Sequence, residues 1–358
     1  MRNIHCLSFV VETKYPVVSG SPNVKSVGEG PILPLASLNS DKKHSGSDAL
    51  ITIGITCYSE GDWLLECWES VLGQTDDRWV AVLVMDGTTH QRTRQVFEQL
   101  RHPKLRKFAM PNNTGPYPTR NMAFELTETP YHFYLDGDDQ LVPDSIALVL
   151  KTFECHPDAA FVYGDYECFG ARSEIRRSPM VVRPGDLVEN QPTPGGCAYK
   201  KLAWEQLGGF AAELARGNAD YDFCIGAFEA GFRGYHCGRT FYRHRIGHVS
   251  KVSSSYNCRY HQTHEIMVRR HPGFFSDTAR RERFLGLGYR RAALANRAAG
   301  NRKEAARLAW HAFRHGFSQD HELRNTLLEG YLPPWINRGL KRLWHLQQKL
   351  CFKAQAHL

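Results

Sequence analysis

The sequence predicts an α/β fold, a mostly parallel sheet flanked by helices on both faces, followed by an α-helical C-terminal extension. Three observations predict it. Strand-length aliphatic runs alternate with segments of helical periodicity from residue 50 to 139, the pattern of parallel strands joined by crossover helices. Hydrophobic residues make up 42% of the 358 and charged residues 23%, enough for one large core or two smaller ones. Beyond residue 272 the strand pattern stops, and helical segments rich in small and basic residues take over.

Residues 1–48, rich in Ser, Pro, Gly and Asn without a sustained period, read as a poorly ordered leader. "ALITIGITCYS" then begins as a β-branched strand, and "EGDWLLECWESVLGQ" repeats Trp63, Leu64, Cys67, Trp68, Val71 and Leu72 at helical spacing. "WVAVLVMDG" predicts a strand, "HQRTRQVFEQL" a helix, "LRKFAM" a short strand, "PTRNMAFELTE" a helix and "YHFYLDGDD" another strand. The expected domains are therefore 49–272 for the α/β unit and 273–358 for the helical extension.

No stretch approaches the roughly 18 apolar residues that span a bilayer, and "CLSFVVE" is too short for a signal peptide. The expected location is the cytoplasm. Ten cysteines without CxxC spacing read as reduced packing residues rather than a zinc site or disulfide framework. The net charge of +8 is uneven: residues 271–358 carry 16 Lys and Arg against 6 Asp and Glu. Such a tail suits an anionic surface or acidic partner, or is a set of solvated helix faces.

Ligands of parallel α/β sheets bind where strand carboxyl ends and their loops converge. That rule selects Thr56 and Tyr58 after the first strand, Asp86 after the second, and Asp136, Asp138 and Asp139 after the fourth. Like charges so close suit a hard divalent cation, Mg²⁺ or Mn²⁺, carrying a diphosphate; the alternative is a solvated turn. "NNTGPYPTRN" supplies the opposite charge, with Arg120 in the first turn of the next helix, as a phosphate clamp or as an ordinary ion pair. A nucleotide diphosphate fits both halves.

The blocks "ITIGITCYSEGDWLLECWESVLGQT", "VLVMDGTT", "NNTGPYPTRNMAF", "FYLDGDD" and "GGFAAELARGNADYDFCIGAFEAGF" resemble, in order, those of the family 2 glycosyltransferases, which have a Rossmann-like GT-A fold. The resemblance spans about residues 50 to 270 and implies roles. Thr56 and Tyr58 would hold and stack on the nucleobase, and Asp86 would bond the uracil or its ribose, with Met85 where the family has a preceding aspartate. "DGD" would be the DxD motif, Asp136 nearer the ribose, Asp138 the metal ligand and Asp139 a second ligand or an orienting group. Arg120 would meet the diphosphate. Asp220 would be the catalytic base, with Ala219 in place of the family's glutamate; the other reading of Asp220 is a helix N-cap. "FYRHRIGHVSKVSS" resembles the final active-site segment, with His248 as the candidate toward the metal and Arg245 behind it. Gly195 and Gly196 would line the acceptor side.

The implied reaction is an inverting, metal-dependent transfer of a sugar from a nucleotide diphosphate donor, expected to be UDP-linked, to a glycan or lipid-linked glycan hydroxyl in surface polysaccharide or glycoconjugate synthesis. No nucleic acid partner is expected. The rivals are a nucleotidyltransferase on a similar fold and an inactive sugar-nucleotide-binding scaffold, for which Met85 and Ala219 are the hints. In the tail, "RERFLGLGYRRAALANRAAGNRKEAARLAWHAFRHG" reads as two helices around "AGN". "LPPWINRGLKRLWHLQQKLCF" sets Ile336, Leu340, Leu343, Trp344 and Leu350 on one side of a basic helix, suited either to the inner membrane interface or to docking on the catalytic domain.

Overall fold

The computed structural model describes residues 48–247 and 256–331. Strand β1 (Ile51–Cys57) is buried along its whole length, as its aliphatic run requires when both faces are covered. Helix α1 (Trp63–Leu72) forms part of that cover, burying Leu64, Cys67, Trp68 and Val71. Then follow β2 (Trp79–Asp86), α2 (Gln91–Gln99), β3 (Leu105–Met110), α3 (Pro116–Glu125) and β4 (Tyr131–Asp136) in the expected order. Helix α3 starts at Pro116 rather than Pro118, because proline at the first helical position forfeits no hydrogen bond and has a suitable φ.

Beyond β4 the sheet becomes mixed, through elements that range from two to fourteen residues. They are β5 (Gln140–Leu141), α4 (Ser145–Cys155), β6 (Ala159–Gly170), β7 (Glu174–Arg176), α5 (Asp186–Glu189), β8 (Ala198–Lys200), α6 (Lys201–Gln206), α7 (Ala219–Glu229) and β9 (Arg233–Ile246). The strand order is β3-β2-β1-β4-β8-β6-β9-β5, with β7 on β6. β1, β2, β3 and β4 pair in parallel, and β8 lies antiparallel to β4 and β6.

Two features of this sheet position the site. The chain lays β2 and β3 on one side of β1 and then β4 on the other, so the loops after β1 and β4 diverge from a topological switch point. Thr56 lies opposite Asp136 there. The second feature is β9, whose register against β6 shifts three times, bending it as bulges do. Its far end pairs with β5, Gln140 opposite Arg243 and Leu141 opposite Tyr242, which fastens the acidic loop to a second strand.

After β9 comes α8 (Tyr260–Arg270), and the segment expected as the extension then holds α9 (Thr278–Ala298), α10 (Arg302–Ala312) and α11 (His321–Tyr331). Helices α9 and α10 flank "AGN" as expected, and buried Ala292, Ala293, Ala305, Ala306, Ala309 and Ala312 let them approach closely. Met267, Phe274, Phe275 and Phe284 join the main core. Asp222 of α7 accepts from Arg270 at 3.1 Å and bonds His271 at 2.9 Å, tying α8 to the sheet unit. Among the described residues no helix is long and apolar enough to cross a membrane. The expectations for residues 1–47 and for the basic helix carrying Trp344 lie outside the described residues.

Gly87, which follows β2, has φ +54°, and a Cβ there would stand 2.2 Å from the Asn112 carbonyl carbon. Left-handed backbone strain and displacement of the facing loop each cost about 1–3 kcal/mol, so Gly87→Ala is expected to destabilise the fold by about 2 kcal/mol or more. Urea unfolding of the two proteins checks this.

Candidate active site

At the switch point, Thr56 Oγ1 donates to Asp136 Oδ1 at 3.1 Å. One terminal nitrogen of Arg120 reaches both Asp136 oxygens, at 2.8 and 2.7 Å. The guanidinium is buried between aromatic rings, 4.8 Å from the centre of Tyr117 and 4.3 Å from that of Tyr134. Burial alone would push the Asp136 carboxyl up; the Arg120 charge and its hydrogen bonds, with Thr56, hold it below the usual carboxylate range. Arg120 thus faces a carboxylate of its own chain.

The next two aspartates have different surroundings. Asp139 is almost wholly buried and is bonded by β9: the Tyr242 hydroxyl donates to it, the Arg245 N–H donates at 2.7 Å, and His244 Nδ1 lies 3.2 Å away. Burial opposes protonation of His244, but Asp139, with Asp136 and Asp138 behind it, raises its pKa above the ordinary histidine value. Asp138 is pushed up to about 8 by burial and then by the charges of Asp139, Asp136 and Glu60. Glu60, in the loop after β1, is raised to about 7, chiefly by burial and in part by Asp136, against the Tyr58 N–H that it accepts at 2.5 Å. Burial and neighbouring acids thus raise both carboxyls on the same side of the site.

Asp86 is used differently. Its carboxylate accepts from the Thr114 N–H at 2.8 Å, the Thr114 hydroxyl at 3.0 Å and the Gly115 N–H at 2.9 Å. It holds the loop that opens α3, where Gly115 has φ +97°. Tyr58 is 42% exposed at the mouth of β1, open to stacking. Arg245 reaches back, its Nε donating to the Asp138 carbonyl at 2.8 Å and its Nη2 pairing with Glu66 at 2.5 Å. Gly195 is exposed, whereas a Cβ on Gly196 would meet the Tyr242 ring at 2.6 Å, so that glycine makes room for an internal aromatic. His248 lies outside the described residues.

Asp220 sits in the first turn of α7, whose N-cap is Asn218. Its Oδ1 accepts from the Tyr117 hydroxyl at 2.6 Å and from the Tyr221 N–H at 3.0 Å; its Oδ2 accepts from Gln191 Nε2 at 2.8 Å. Tyr117 belongs to α3 and also lies against Arg120, so Asp136, Arg120, Tyr117 and Asp220 form one contiguous chain. The sequence reading did not single out Glu60, Tyr117, Gln191 or His244. Glu60 stands two residues after Tyr58 and was legible as a strand-end carboxylate. His244 needed the pairing of β5 with β9, which no local pattern reveals.

Comparison with known proteins agrees with this architecture. The fold resembles S. aureus TarS 1–349 in complex with UDP-GlcNAc, with TM-score 0.61 and 15% identity over 78% of this chain and 88% of that one. It also resembles the mannosyltransferase PcManGT from Pyrobaculum calidifontis in complex with GDP-Man and Mn²⁺, with TM-score 0.50 and 18% identity over 86% and 92% of the two chains. In sequence, a teichoic acid poly(glycerol phosphate) polymerase of Staphylococcus epidermidis is 31% identical over 105 residues, which are 29% of this chain and 15% of that protein. The chain thus spans less than a quarter of the length of the first curated relatives it matches. Residues 52–236, more than half of the sequence, match the family described as glycosyl transferase family 2, and on that match, carried by a GT-A fold, the chain belongs to the family 2 glycosyltransferases.

Proposed function

We propose that this protein transfers a sugar, with inversion, from a UDP-linked donor to an acceptor hydroxyl in the synthesis of a cell-surface polysaccharide. The observation that carries the proposal is the Thr56–Asp136–Arg120 cluster at the carboxyl ends of β1 and β4, with the carboxyls of Asp138 and Glu60 in the loops beside it. The donor would enter there, its base against Tyr58 and its ribose near Asp136. A UDP-linked donor is supported by the ligand named with TarS, and a surface polymer by the name of the staphylococcal polymerase.

The donor set suits Mg²⁺ or Mn²⁺: the hard carboxylate oxygens of the loop after β4, with the His244 imidazole on the flank. Asp138 would hold the ion, with His244 beside it. Among the described residues no three such side chains converge on one point, so diphosphate oxygens and water would complete the shell. When bound, the ion would neutralise charge on the departing diphosphate. Asp220 would take the proton of the attacking hydroxyl, and single displacement needs no protein nucleophile. A panel of UDP- and GDP-sugars with Mn²⁺, read by nucleoside diphosphate release, tests the proposal; release from none of them overturns it.

Two outcomes are expected of variants and of pH. A cation must displace the protons held by Asp138 and Glu60, so Mn²⁺ should raise the unfolding temperature more at pH 8.5 than at pH 6, the carboxyls being protonated below about 7 to 8. In EDTA the sign reverses. Carboxyls raised above their unfolded values lose stabilisation as pH rises through the folded pKa, so the metal-free protein should lose stability between pH 6 and 8.5 from these groups. Asp138→Asn should abolish the Mn²⁺ effect and the Mn²⁺-dependent part of UDP binding measured by calorimetry. Asp220→Asn should lower turnover about 10²-fold or more while the protein stays folded.

A further inference from the structure

The carboxylate of Asp220 is not symmetric. An ionised carboxylate oxygen accepts about two hydrogen bonds along its lone pairs. Among the described residues Oδ1 has both filled, by the Tyr117 hydroxyl at 2.6 Å and the Tyr221 N–H at 3.0 Å, whereas Oδ2 accepts only from Gln191, at 2.8 Å. Among the described residues one acceptor position on Asp220 therefore remains, and it is on Oδ2. Tyr117 can only act as donor in this contact, because burial and then the Asp220 charge hold its phenol well above the ordinary value.

The tyrosine is also fixed in place. Its ring meets Phe210 edge-on at 5.4 Å, with the Arg120 guanidinium 4.8 Å from its centre. Its backbone N–H reaches the Ala215 carbonyl at 3.4 Å, which docks the start of α3 onto the chain leading into α7. Three residues further along the same helix, Arg120 grips Asp136. One rigid turn of α3 thus sets the spacing between the donor-side carboxylate and Asp220.

We propose that Tyr117 is a positioning residue for Asp220: it saturates Oδ1 and turns the carboxylate so that the acceptor's proton passes to Oδ2, beside Gln191. This rests on the reading of Asp220 as the base. In the step, the acceptor oxygen bonds to the anomeric carbon while its proton moves to Oδ2. The bond from that carbon to the diphosphate oxygen breaks, and the diphosphate leaves with the electron pair; the proton then passes from Asp220 to water.

The test uses the full chain with Mn²⁺ and the donor of the panel that gives the fastest release of nucleoside diphosphate. Tyr117→Phe keeps the ring and its contacts with Phe210 and Arg120, so it should fold, and calorimetry with UDP verifies this. The expected result is a fall in kcat of at least about tenfold, with donor KM and UDP affinity within about twofold of the parent. In an Asp220→Asn background the same change should cause no further loss. A Tyr117→Phe rate within about twofold of the parent, beside an inactive Asp220→Asn, overturns the positioning role and leaves the base reading standing. A tenfold loss that recurs in full in the Asp220→Asn background also overturns it, since Tyr117 would then act independently of Asp220. Near-parental activity of Asp220→Asn alone overturns the base reading, and this proposal with it.

Discussion

The arrangement of the site depends on one half-buried ion pair, Arg120 with Asp136. Taking a guanidinium and a carboxylate out of water costs several kcal/mol per ion, and their attraction repays that only with good geometry and further hydrogen bonds. Here the cost is reduced but not removed. Asp136 gains Thr56, and the guanidinium plane lies over Tyr117 and Tyr134, which suits a weakly hydrated planar cation. Among the described residues Arg120 Nε nonetheless has no acceptor. A well-packed apolar pair could match this stability, so the physical consequence of the pair is position: it fixes the end of β4 against the first turns of α3 and the end of β1.

The three aspartates after β4 then divide by neighbour rather than by sequence. Asp136 is neutralised by Arg120, and Asp139 is consumed by Tyr242, His244 and Arg245 of β9. Asp138, between them, takes the repulsion of both, and Glu60 adds to it. The long bent strand β9 is what makes this possible. Without its pairing to β5, the acidic loop would have only β4 to hold it, and like charges in a mobile loop relax by separating rather than by shifting their pKa values. Rigidity thus leaves Asp138 with a carboxyl that burial and its acidic neighbours raise.

The fold was legible in the sequence as far as β4 because each element there is long enough to show its period. β1 is a buried aliphatic run, and α1 repeats its apolar face over almost three turns. β5, β7 and β8 span two or three residues each, too few for alternation to appear, so these pieces of the mixed half were not legible. At the site, the strand-end rule picked residues that the structure does gather: Thr56 and Asp136 touch, and Arg120 joins them. What it could not read was each carboxylate's partner. A strand-end aspartate that ties a loop, as Asp86 ties Thr114 and Gly115, has the same local signature as one that faces a ligand. Partners supplied across 103 or 105 residues, such as Tyr117 for Asp220 and His244 for Asp139, leave no trace in local spacing.

The two departures from the family pattern acquire a physical meaning in these surroundings. Met85 packs in the main core, in register with Cys57 of β1. A carboxylate there would be buried beside Cys57 and one residue from Asp86, whose oxygens already carry three donors, and would need a cation of its own. Ala219 is fully buried next to Asp220. A glutamate in its place would put a second negative charge in a buried position next to Asp220 and repel it. With alanine there, all three donors converge on one carboxylate, and α3 and the loop carrying Gln191 supply the order that a second acid would otherwise disturb. The departures therefore subtract competing charge and leave intact the chain from Asp136 through Arg120 and Tyr117 to Asp220.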